Sequence, residues 1–275
     1  NNETSMSLFD ASGKAATNSN NYSRVTYSYD IYNHIIEIRY FDKSGSLVTF
    51  GKDKYAIEKH TYDSRGNRVG TTFFGKKEEP VLCNEGWFTS TRDFDGMNRV
   101  VRQAFFDLNR QPTNPNVIVP EGFVKYDLRS NMIYLAAGDG HGNLMISPAM
   151  GCAIQKSEYD KRDNLLWCAF FNEKEQPMLK KGTSYHRTTY IYNEQGKKIE
   201  STWEDTNGNL VNGDNGYAVV KYVYNSEGRL QEESYYNTKR GKCNNTTGYH
   251  RVTYQYSTSG EKEFAFAIYI FSPFF

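Results

Sequence analysis

The chain has 275 residues, and its 33 basic and 32 acidic side chains leave a net charge of +1, which gives no indication of binding to nucleic acid or to an acidic membrane. No run of 18 apolar residues is present, so no membrane-spanning helix is predicted. With 22 Tyr and 17 Phe, the composition favours strands over helices. The cysteines have neither a CxxC pattern nor the spacing of zinc ligands, and we expect free buried thiols, with a disulfide as the alternative: Cys83, Cys152, Cys168 and Cys243.

Residues 1–7 are polar and are predicted to form an N-terminal tail, after which one turn motif recurs along the chain. The motif is clearest at 62–67, Tyr-Asp-Ser-Arg-Gly-Asn. An Asp at the first position of a turn accepts hydrogen bonds from backbone N–H groups two residues on, and a Gly at the fourth position takes positive φ. Such a turn joins the two strands of a hairpin. It recurs every 32 or 33 residues, always after an aromatic residue, at Asp30, Asp63, Asp95, Asp127, Asp160, Asn193, Asn225 and Ser257.

A second, shorter turn of the same kind lies twelve residues after each of the first seven long turns, and one more precedes the first of them. These short turns begin at Asp10, Asp42, Gly75, Asp107, Asp139, Asn172, Asp205 and Asn237. The letters of the repeat vary, whereas its length is kept within one residue. Constant length is what a stacked repeat architecture has to preserve.

The segments between the turns alternate between apolar and polar residues. The strand that enters a long turn carries aromatic residues one and three positions before the turn, as at Tyr190 and Tyr192, and Thr or Lys four positions before it in seven repeats. The leaving strand has apolar residues six and ten positions after the turn residue, as at Val69 and Phe73. This period of two predicts half-buried strands with one face in solvent. A further recurrent position, eight before the turn, has the opposite parity and predicts a bend or a bulge.

These patterns predict an all-β fold in which eight tandem β-hairpin units of 32–33 residues form a continuous twisted or superhelical sheet array. Residues 8–269 form this single repeat domain, and 270–275 form an apolar C-terminal tail or cap. The fourth repeat is irregular, because Pro112, Pro115 and Pro120 change its loop. The alternative is a closed propeller-like ring, although the period is short for a blade of about 40–45 residues.

Eight of the twelve residues from 264 to 275 are Phe, Ile or Tyr. An uncovered strand of that composition promotes aggregation. We therefore expect this segment to cap the eighth repeat or to mediate self-association with a second copy of the chain.

The Tyr-Asp-x-x-Gly-Asn/Arg pattern, at 62–67 and in variant form at 224–229, resembles the YD repeats of the Rhs family. The Phe-Asp-x-x-Gly turns also resemble bacterial cell-wall-binding and MORN-like hairpin repeats. The resemblance extends over nearly the whole chain and concerns architecture, because a plain YD pattern lacks the two unequal half-units found here. YD repeats build β-sheet shells and bacterial surface arrays. The resemblance therefore implies a secreted or cell-surface bacterial protein.

The sequence offers little catalytic chemistry. The five histidines lie in five different repeats, and the loop Asp139–Asn143, which has the look of a ligand loop, occupies a short-turn position. The segment Asp205–Asn209 resembles the start of a calcium loop, but Gly216 stands where that loop needs a Glu. No nucleophile elbow or phosphate-binding loop occurs. We predict a chain that is not an enzyme and has no metal or cofactor; a glycan-active enzyme with a carboxylate pair is kept as a remote alternative.

The position eight residues before the long turn carries the residues that are candidates for binding. It is aromatic in most repeats, and the candidate ladder is Tyr55, Trp87, Tyr185, Tyr217 and Tyr249. These rings either belong to the core, which we favour, or line a groove where they stack on sugar faces or on an extended peptide. The predicted function is a non-enzymatic repeat module that binds protein or glycan or acts as a scaffold. The alternative is a structural shell segment of a larger toxin-like protein.

Overall fold

The structure, a computed structural model, describes residues 2–113, 119–257 and, for the backbone alone, 262–268. Every regular element in these ranges is a strand. The strands are β1 (Ser5–Ser7), β2 (Arg24–Tyr29), β3 (Ile35–Phe41), β4 (Ile57–Tyr62), β5 (Arg68–Phe74), β6 (Thr89–Phe94), β7 (Val100–Phe106), β8 (Glu121–Tyr126) and β9 (Met132–Gly138). They continue with β10 (Ile154–Tyr159), β11 (Leu165–Phe171), β12 (Arg187–Tyr192), β13 (Lys198–Glu204), β14 (Val219–Tyr224), β15 (Leu230–Tyr236), β16 (Arg251–Tyr256) and β17 (Lys262–Ile268). None of the described residues belongs to a helix long and apolar enough to cross a membrane.

The chain forms two compact units. Unit 1 comprises residues 1–124 with 137–144, and unit 2 comprises residues 125–136 with 145–275. Within each unit the strands pair antiparallel in chain order. In unit 1, six residues of β2 pair with β3, and the next hairpin is joined on through three pairs between β3 and β4, such as Glu37 with Lys59. Unit 2 repeats this arrangement, with six pairs between β12 and β13 and three between β13 and β14.

The all-β tandem hairpin prediction is confirmed by this pairing. The propeller alternative is wrong, because successive repeats share one hydrogen-bonded ladder, whereas the blades of a propeller are separate sheets. In seven of the eight hairpins the register shifts by one residue just before the long turn, for example between Thr61 and Tyr62. This bulge increases the local twist beside the turn.

The turn chemistry follows the sequence prediction. At the motif of residues 62–67, the Asp63 N–H donates to the Asn67 carbonyl at 3.0 Å, and the Gly66 N–H donates to the Asp63 carbonyl at 3.1 Å. Asp63 Oδ1 accepts from the N–H groups of Arg65 and Asn67, both at 2.9 Å. The fourth residue has positive φ in both kinds of turn whatever its type: Asn33, Gly66, Asn98, Ser130, Asp163, Gly196 and Gly228 in the long turns, and Gly13, Gly45, Glu78, Arg110, Gly142, Glu175, Gly208 and Arg240 in the short ones. The hydrogen bonds thus hold even residues with a Cβ in the left-handed region.

A third turn lies where the change of parity predicted a bend or a bulge. The Cys83 N–H donates to the Trp87 carbonyl at 2.8 Å, and the Gly86 N–H donates to the Cys83 carbonyl at 3.0 Å. The same pair of bonds closes the turn from Asn245 to Tyr249. A hairpin repeat with this third turn therefore has three turns instead of the two that the sequence predicted. The third was missed because its first residue is often not Asp, as at Cys83 and Gly213.

The core of each unit lies on one face of its sheet. In unit 1 the buried cluster is Val25, Tyr40, Tyr55, Phe73, Cys83, Trp87 and Phe105, and residues that follow the short turns, such as Val48 and Val81, pack against it. In unit 2 a corresponding cluster is Val220, Tyr235 and Val252. The opposite face carries many half-buried and exposed side chains, as the alternating pattern predicted, but Ile57, Ile154 and Val219, each the first residue of its strand on this face, are fully buried.

Three sequence predictions concern the termini and the thiols. Ser5–Ser7, in the predicted tail, form β1 and pair with β2. Lys262–Ile268 form β17 and pair with β16, whereas the predicted tail at 270–275 lies outside the described residues. All four cysteines are free, as expected, but only Cys83 and Cys152 are buried, whereas Cys168 and Cys243 are half-buried. Burial raises the pKa of the Cys152 thiol to about 11.

Candidate functional site

The candidate ladder residues of unit 1 lie inside a continuous stack of aromatic rings. The predicted positions eight before a turn alternate in space with the positions ten after one. Tyr55 lies between Tyr40 and Phe73, with ring centres 6.3 and 4.4 Å apart. Trp87 lies between Phe73 and Phe105, at 4.8 and 5.4 Å. Tyr55 is 8% exposed and Trp87 is 9% exposed, so both rings are buried, as expected if they belong to the core.

The candidates of unit 2 are stacked in the same alternating way but in two segments. Tyr185 contacts Phe170 at 6.2 Å between ring centres. Tyr217 lies between Trp203 and Tyr235, at 5.4 and 4.6 Å, and Tyr249 follows Tyr235 at 6.2 Å. All three candidate rings, at 185, 217 and 249, are half-buried. Ligand binding by these rings stays a prediction.

In each unit a carboxyl group is hydrogen-bonded to tyrosines of the ladder. In unit 1 the Tyr40 hydroxyl donates to the Glu58 carboxylate at 2.7 Å, and burial raises the pKa of Glu58. His60 Nε2 lies 3.9 Å from the same carboxylate, and burial lowers the pKa of His60 to about 4. In unit 2 the Glu233 carboxylate accepts from the Tyr235 and Tyr254 hydroxyls, both at 3.0 Å. These tyrosine hydroxyls satisfy a carboxylate that would otherwise be unpaired in an aromatic core.

The two loops that resemble cation sites use their carboxylates to close turns. Asp139 Oδ1 accepts from the N–H groups of His141 and Asn143, at 2.7 and 3.2 Å, and its Oδ2 accepts from the Asn143 side chain at 2.9 Å. Asp205 is bound in the same way by Asn207 and Asn209. Within the described ranges, no group of three or more His, Cys, Asp or Glu side chains is arranged to hold a metal ion.

The tyrosine before the long turn has a role that the sequence did not reveal. The Tyr62 hydroxyl donates to the Ile35 carbonyl at 2.8 Å, which ties the turn to the start of the leaving strand of the preceding hairpin. Tyr192 does the same with the Leu165 carbonyl. Among the described residues, the tyrosines at this position with a hydroxyl-to-carbonyl bond of this kind include Tyr29, Tyr62, Tyr192, Tyr224 and Tyr256. The preference for Tyr over Phe at this position was the available signal.

Neighbouring turns are also bound directly to each other. The Asn67 side-chain amide donates to Asn98 Oδ1 at 2.9 Å in unit 1, and that of Asn131 donates to Asp163 Oδ1 at 2.7 Å in unit 2. These bonds join the tips of successive hairpins within a unit. The residue that follows the left-handed position, which the motif gives as Asn, therefore links the repeats.

The recurrent Lys four residues before the long turn lies on the opposite face of the sheet from the ladder. Its ammonium lies over the aromatic ring that precedes the short turn of the same repeat. Lys59 is 5.0 Å from the Phe74 ring centre, and Lys156 is 4.6 Å from that of Phe171. A cation over an aromatic face contributes about 0.5–1 kcal/mol at exposed sites. This contact accounts for the pairing of Lys with an aromatic residue on the wetter face.

No family model and no curated protein matches the chain. Among solved structures, it is similar to a mutant Tc holotoxin pore of Photorhabdus luminescens, with 11% identity over 89% of this chain and a TM-score of 0.31. It is also similar to the crystal structure TcdB2-TccC3-TEV, with 14% identity over 94% and a TM-score of 0.36, and to TcdB2-TccC3, with 12% identity over 87% and a TM-score of 0.30. This chain spans 13% of the length of each of these three chains.

Proposed function

We propose that this chain is a non-enzymatic structural repeat segment that forms part of the wall of a larger, secreted or surface-exposed, toxin-like protein. The observation that carries the proposal is the use of the aromatic rings. A glycan- or peptide-binding repeat presents its rings to the ligand, whereas Tyr55, Phe73 and Trp87 are stacked on one another and less than a tenth exposed. The secreted or surface location rests on the resemblance of the turn motif to YD repeats.

The hydrogen bonding between repeats supports the same proposal. Hairpins of a unit are joined to their neighbours by strand pairing, and at several of these junctions also by the tyrosine hydroxyl and by side chains at the turn tips. β1 pairs with β2 in the same register in which the leaving strand β3 pairs with the next entering strand, β4. Met6 lies opposite Val25, as Ile38 of β3 lies opposite Glu58 of β4. The Tyr29 hydroxyl accordingly binds the Glu3 carbonyl at 2.6 Å. The other edge of such a strand can accept a further strand, which is the property that a wall segment needs.

The proposal is tested by separating the stability of the ladder from ligand binding. Tyr217→Ala removes a half-buried ring that stacks on Tyr235, and the matched control Tyr32→Ala removes a ring that is 73% exposed. We expect Tyr217→Ala to lower the free energy of unfolding by about 2–4 kcal/mol, in the range for large-to-small core substitutions, and Tyr32→Ala to leave it nearly unchanged. Urea unfolding followed by circular dichroism measures both.

The parent chain is tested in parallel on a glycan array, in a cell-wall pull-down and in a reducing-sugar release assay. A wall segment gives no specific retention and no hydrolysis. Specific retention that Tyr217→Ala abolishes without lowering the unfolding midpoint would show a binding module instead. Release of reducing sugar by the parent chain would show a glycan-active enzyme.

A further inference from the structure

The wetter face of unit 1 contains an open groove of about 710 Å³ across β4 to β7 and the short turn after β7. Its apolar part is formed by the rings of Phe74, Phe88 and Phe106 and by Leu108, which is 47% exposed. Two cations, Lys59 and Arg110, also line it. Small-molecule sites are commonly 300–1,000 Å³ and mostly apolar, with a few polar groups that fix orientation. The groove has this size and this composition.

Between two threonines that line the groove, the position seven residues after the turn Asp is a glycine. Gly70 pairs with Thr61 and with Thr91, both of which line the groove. The equivalent residue in other repeats has a large side chain, for example Glu37 and Glu200. A Cβ at position 70 would lie 2.4 Å from the Thr61 hydroxyl, so the Thr61 side chain takes the place beside Gly70 that a side chain at position 70 would need.

Among the described residues, the cation at the edge of the groove has no ion pair of the kind that its charged counterparts make. Arg110 is the left-handed residue of its short turn, and in the three other short turns where this residue is charged it is ion-paired. Glu78 binds Arg39 at 2.6 Å, Glu175 binds Lys156 at 2.9 Å, and Arg240 binds Glu200 at 3.0 Å.

Arg110 and Gly70 occupy the same two positions of the repeat as Arg240 and Glu200, which form an ion pair. The residue that would supply the carboxylate to Arg110 is therefore a glycine. Across the described residues, no carboxylate lies within 4.0 Å of its guanidinium. The other cation, Lys59, is shared between the Glu37 carboxylate at 3.3 Å and the Phe74 ring. No acidic residue lines the groove in the part of the chain that the structure describes.

We propose that this groove binds an amphipathic organic anion, with its apolar body over Phe74, Phe88 and Phe106 and its anionic head at Arg110. The rings provide apolar area for the body, and the exposed guanidinium provides charge-assisted hydrogen bonds to the head. In unit 2 the carboxylate of Glu200 forms the ion pair with Arg240. In unit 1 the anionic head of the ligand forms the corresponding ion pair with Arg110. The proposal goes beyond the structural role and does not depend on it.

The test is isothermal titration of the full chain with octanoate. Octanol, which lacks the charge, and acetate, which lacks the apolar body, are the ligand controls, and octyl phosphate tests whether the head is a phosphate or a carboxylate. We expect saturable one-to-one binding of octanoate or octyl phosphate, and weaker binding of octanol and acetate. No saturable binding of either anion at millimolar concentration, or equal binding of octanol, would overturn the proposal.

Two variants locate the site. Arg110→Gln should weaken binding about tenfold, because a charge-assisted bond to the head is lost, while the matched Arg240→Gln, at the same turn position in unit 2, should leave binding unchanged. Gly70→Glu should abolish binding by placing in the groove the carboxylate that Glu37 and Glu200 supply elsewhere, and circular dichroism checks that it folds. Equal effects of Arg110→Gln and Arg240→Gln would place the anion elsewhere and overturn the proposal, whether or not Gly70→Glu folds.

Discussion

The turns of the two units are closed by the same hydrogen bonds with different first residues. In unit 1 the Asp63 Oδ1 accepts from the N–H groups two and four residues on, both at 2.9 Å. In unit 2 the Asn193 Oδ1 accepts from the equivalent groups at 3.1 and 2.8 Å. The long turns of unit 1 begin with Asp, whereas two in unit 2 begin with Asn. The long turn therefore uses a side-chain oxygen at that position as an acceptor whether or not the side chain carries a negative charge.

The aromatic ladders differ in a second way. Unit 1 stacks Tyr22, Tyr40, Tyr55, Phe73, Trp87 and Phe105 in one series, with neighbouring ring centres 4.4–6.3 Å apart. Unit 2 has a two-ring segment, Phe170 with Tyr185, and a four-ring segment that begins at Trp203. The length of the repeat and the positions of the rings are thus the same in both units. The stack of rings is continuous in unit 1 and interrupted in unit 2.

The largest expected effect on stability comes from removing one aromatic ring from the ladder of each unit. Phe73→Ala and Phe170→Ala both remove buried rings, 6% and 4% exposed, and each should lower the free energy of unfolding by about 3–5 kcal/mol. Phe73 stacks on two rings and Phe170 on one, so Phe73→Ala should cost about 1 kcal/mol more. Urea unfolding compares them. Equal losses would show that stacking adds nothing beyond burial, and continuity would then not distinguish the units.

The next effect comes from the left-handed turn position. Gly66→Val and Gly228→Val should each lower the free energy of unfolding by about 1–3 kcal/mol, since a β-branched residue resists positive φ. Gly66→Val should cost more, because its Cβ would meet the His34 ring at 2.8 Å, whereas at Gly228 the neighbour is the flexible Lys197 at 3.4 Å. Ser130→Val should cost least, because Ser130 already has a Cβ at φ 73°. Identical thermal midpoints for all three would remove the role of the left-handed residue.

A smaller effect is expected at the tyrosine before the turn. Tyr62→Phe and Tyr192→Phe each remove a hydroxyl bonded to the preceding hairpin, one in each unit, and should cost about 0.5–1.5 kcal/mol. The reverse change is the control. Phe94→Tyr places a hydroxyl where the repeat provides the Arg68 carbonyl as acceptor, and should raise the unfolding midpoint. A lower midpoint for Phe94→Tyr would contradict the assigned bond.

The smallest effect is the one that distinguishes Asp turns from Asn turns. Hydrogen bonds, first from the Asn67 side chain and then from backbone N–H groups, lower the pKa of Asp63 from its ordinary 3.8. A carboxyl with a lowered pKa stabilises the fold above its unfolded pKa, and this contribution is lost as the pH falls through the folded value. Asp63→Asn should therefore be nearly neutral at pH 7 and reduce the loss of stability below about pH 4. Parallel acid titrations of parent and variant that coincide would contradict this assignment.

Much of the fold could be predicted from the sequence because the repeat is strict in length. The eight long turns fix the hairpins, and alternation fixes which residues face the core, so Tyr40 and Phe73 were placed correctly. The third turn was harder to predict, since backbone bonds close it and its first residue can be Cys83 or Gly213 as well as Asn245. A turn without a side-chain acceptor at its first position leaves only the left-handed Gly as a signal.

The candidate site was less predictable. Sequence periodicity located the ladder at Tyr55, Trp87, Tyr185, Tyr217 and Tyr249, but a period of two cannot say whether a ring is covered by the segment that follows the short turn. Groove residues such as Gly70 and Arg110 depart from the repeat, and the averaged pattern conceals departures. Comparing each repeat with its neighbours, position by position, is the procedure that reveals them once the register is known.

Pulled from its two ends, this chain should come apart in equal steps. A hairpin is held together by six paired residues, as between β4 and β5, but to its neighbour by three, as between β5 and β6. Under tension, the three residue pairs between neighbouring repeats should therefore break first. A whole repeat should detach from its neighbour before the six pairs inside it separate. Each repeat of 32–33 residues that detaches and then unravels would release about 110 Å of extended chain, at roughly 3.4 Å per residue. The near-constant repeat length thus becomes a nearly uniform unit of extension.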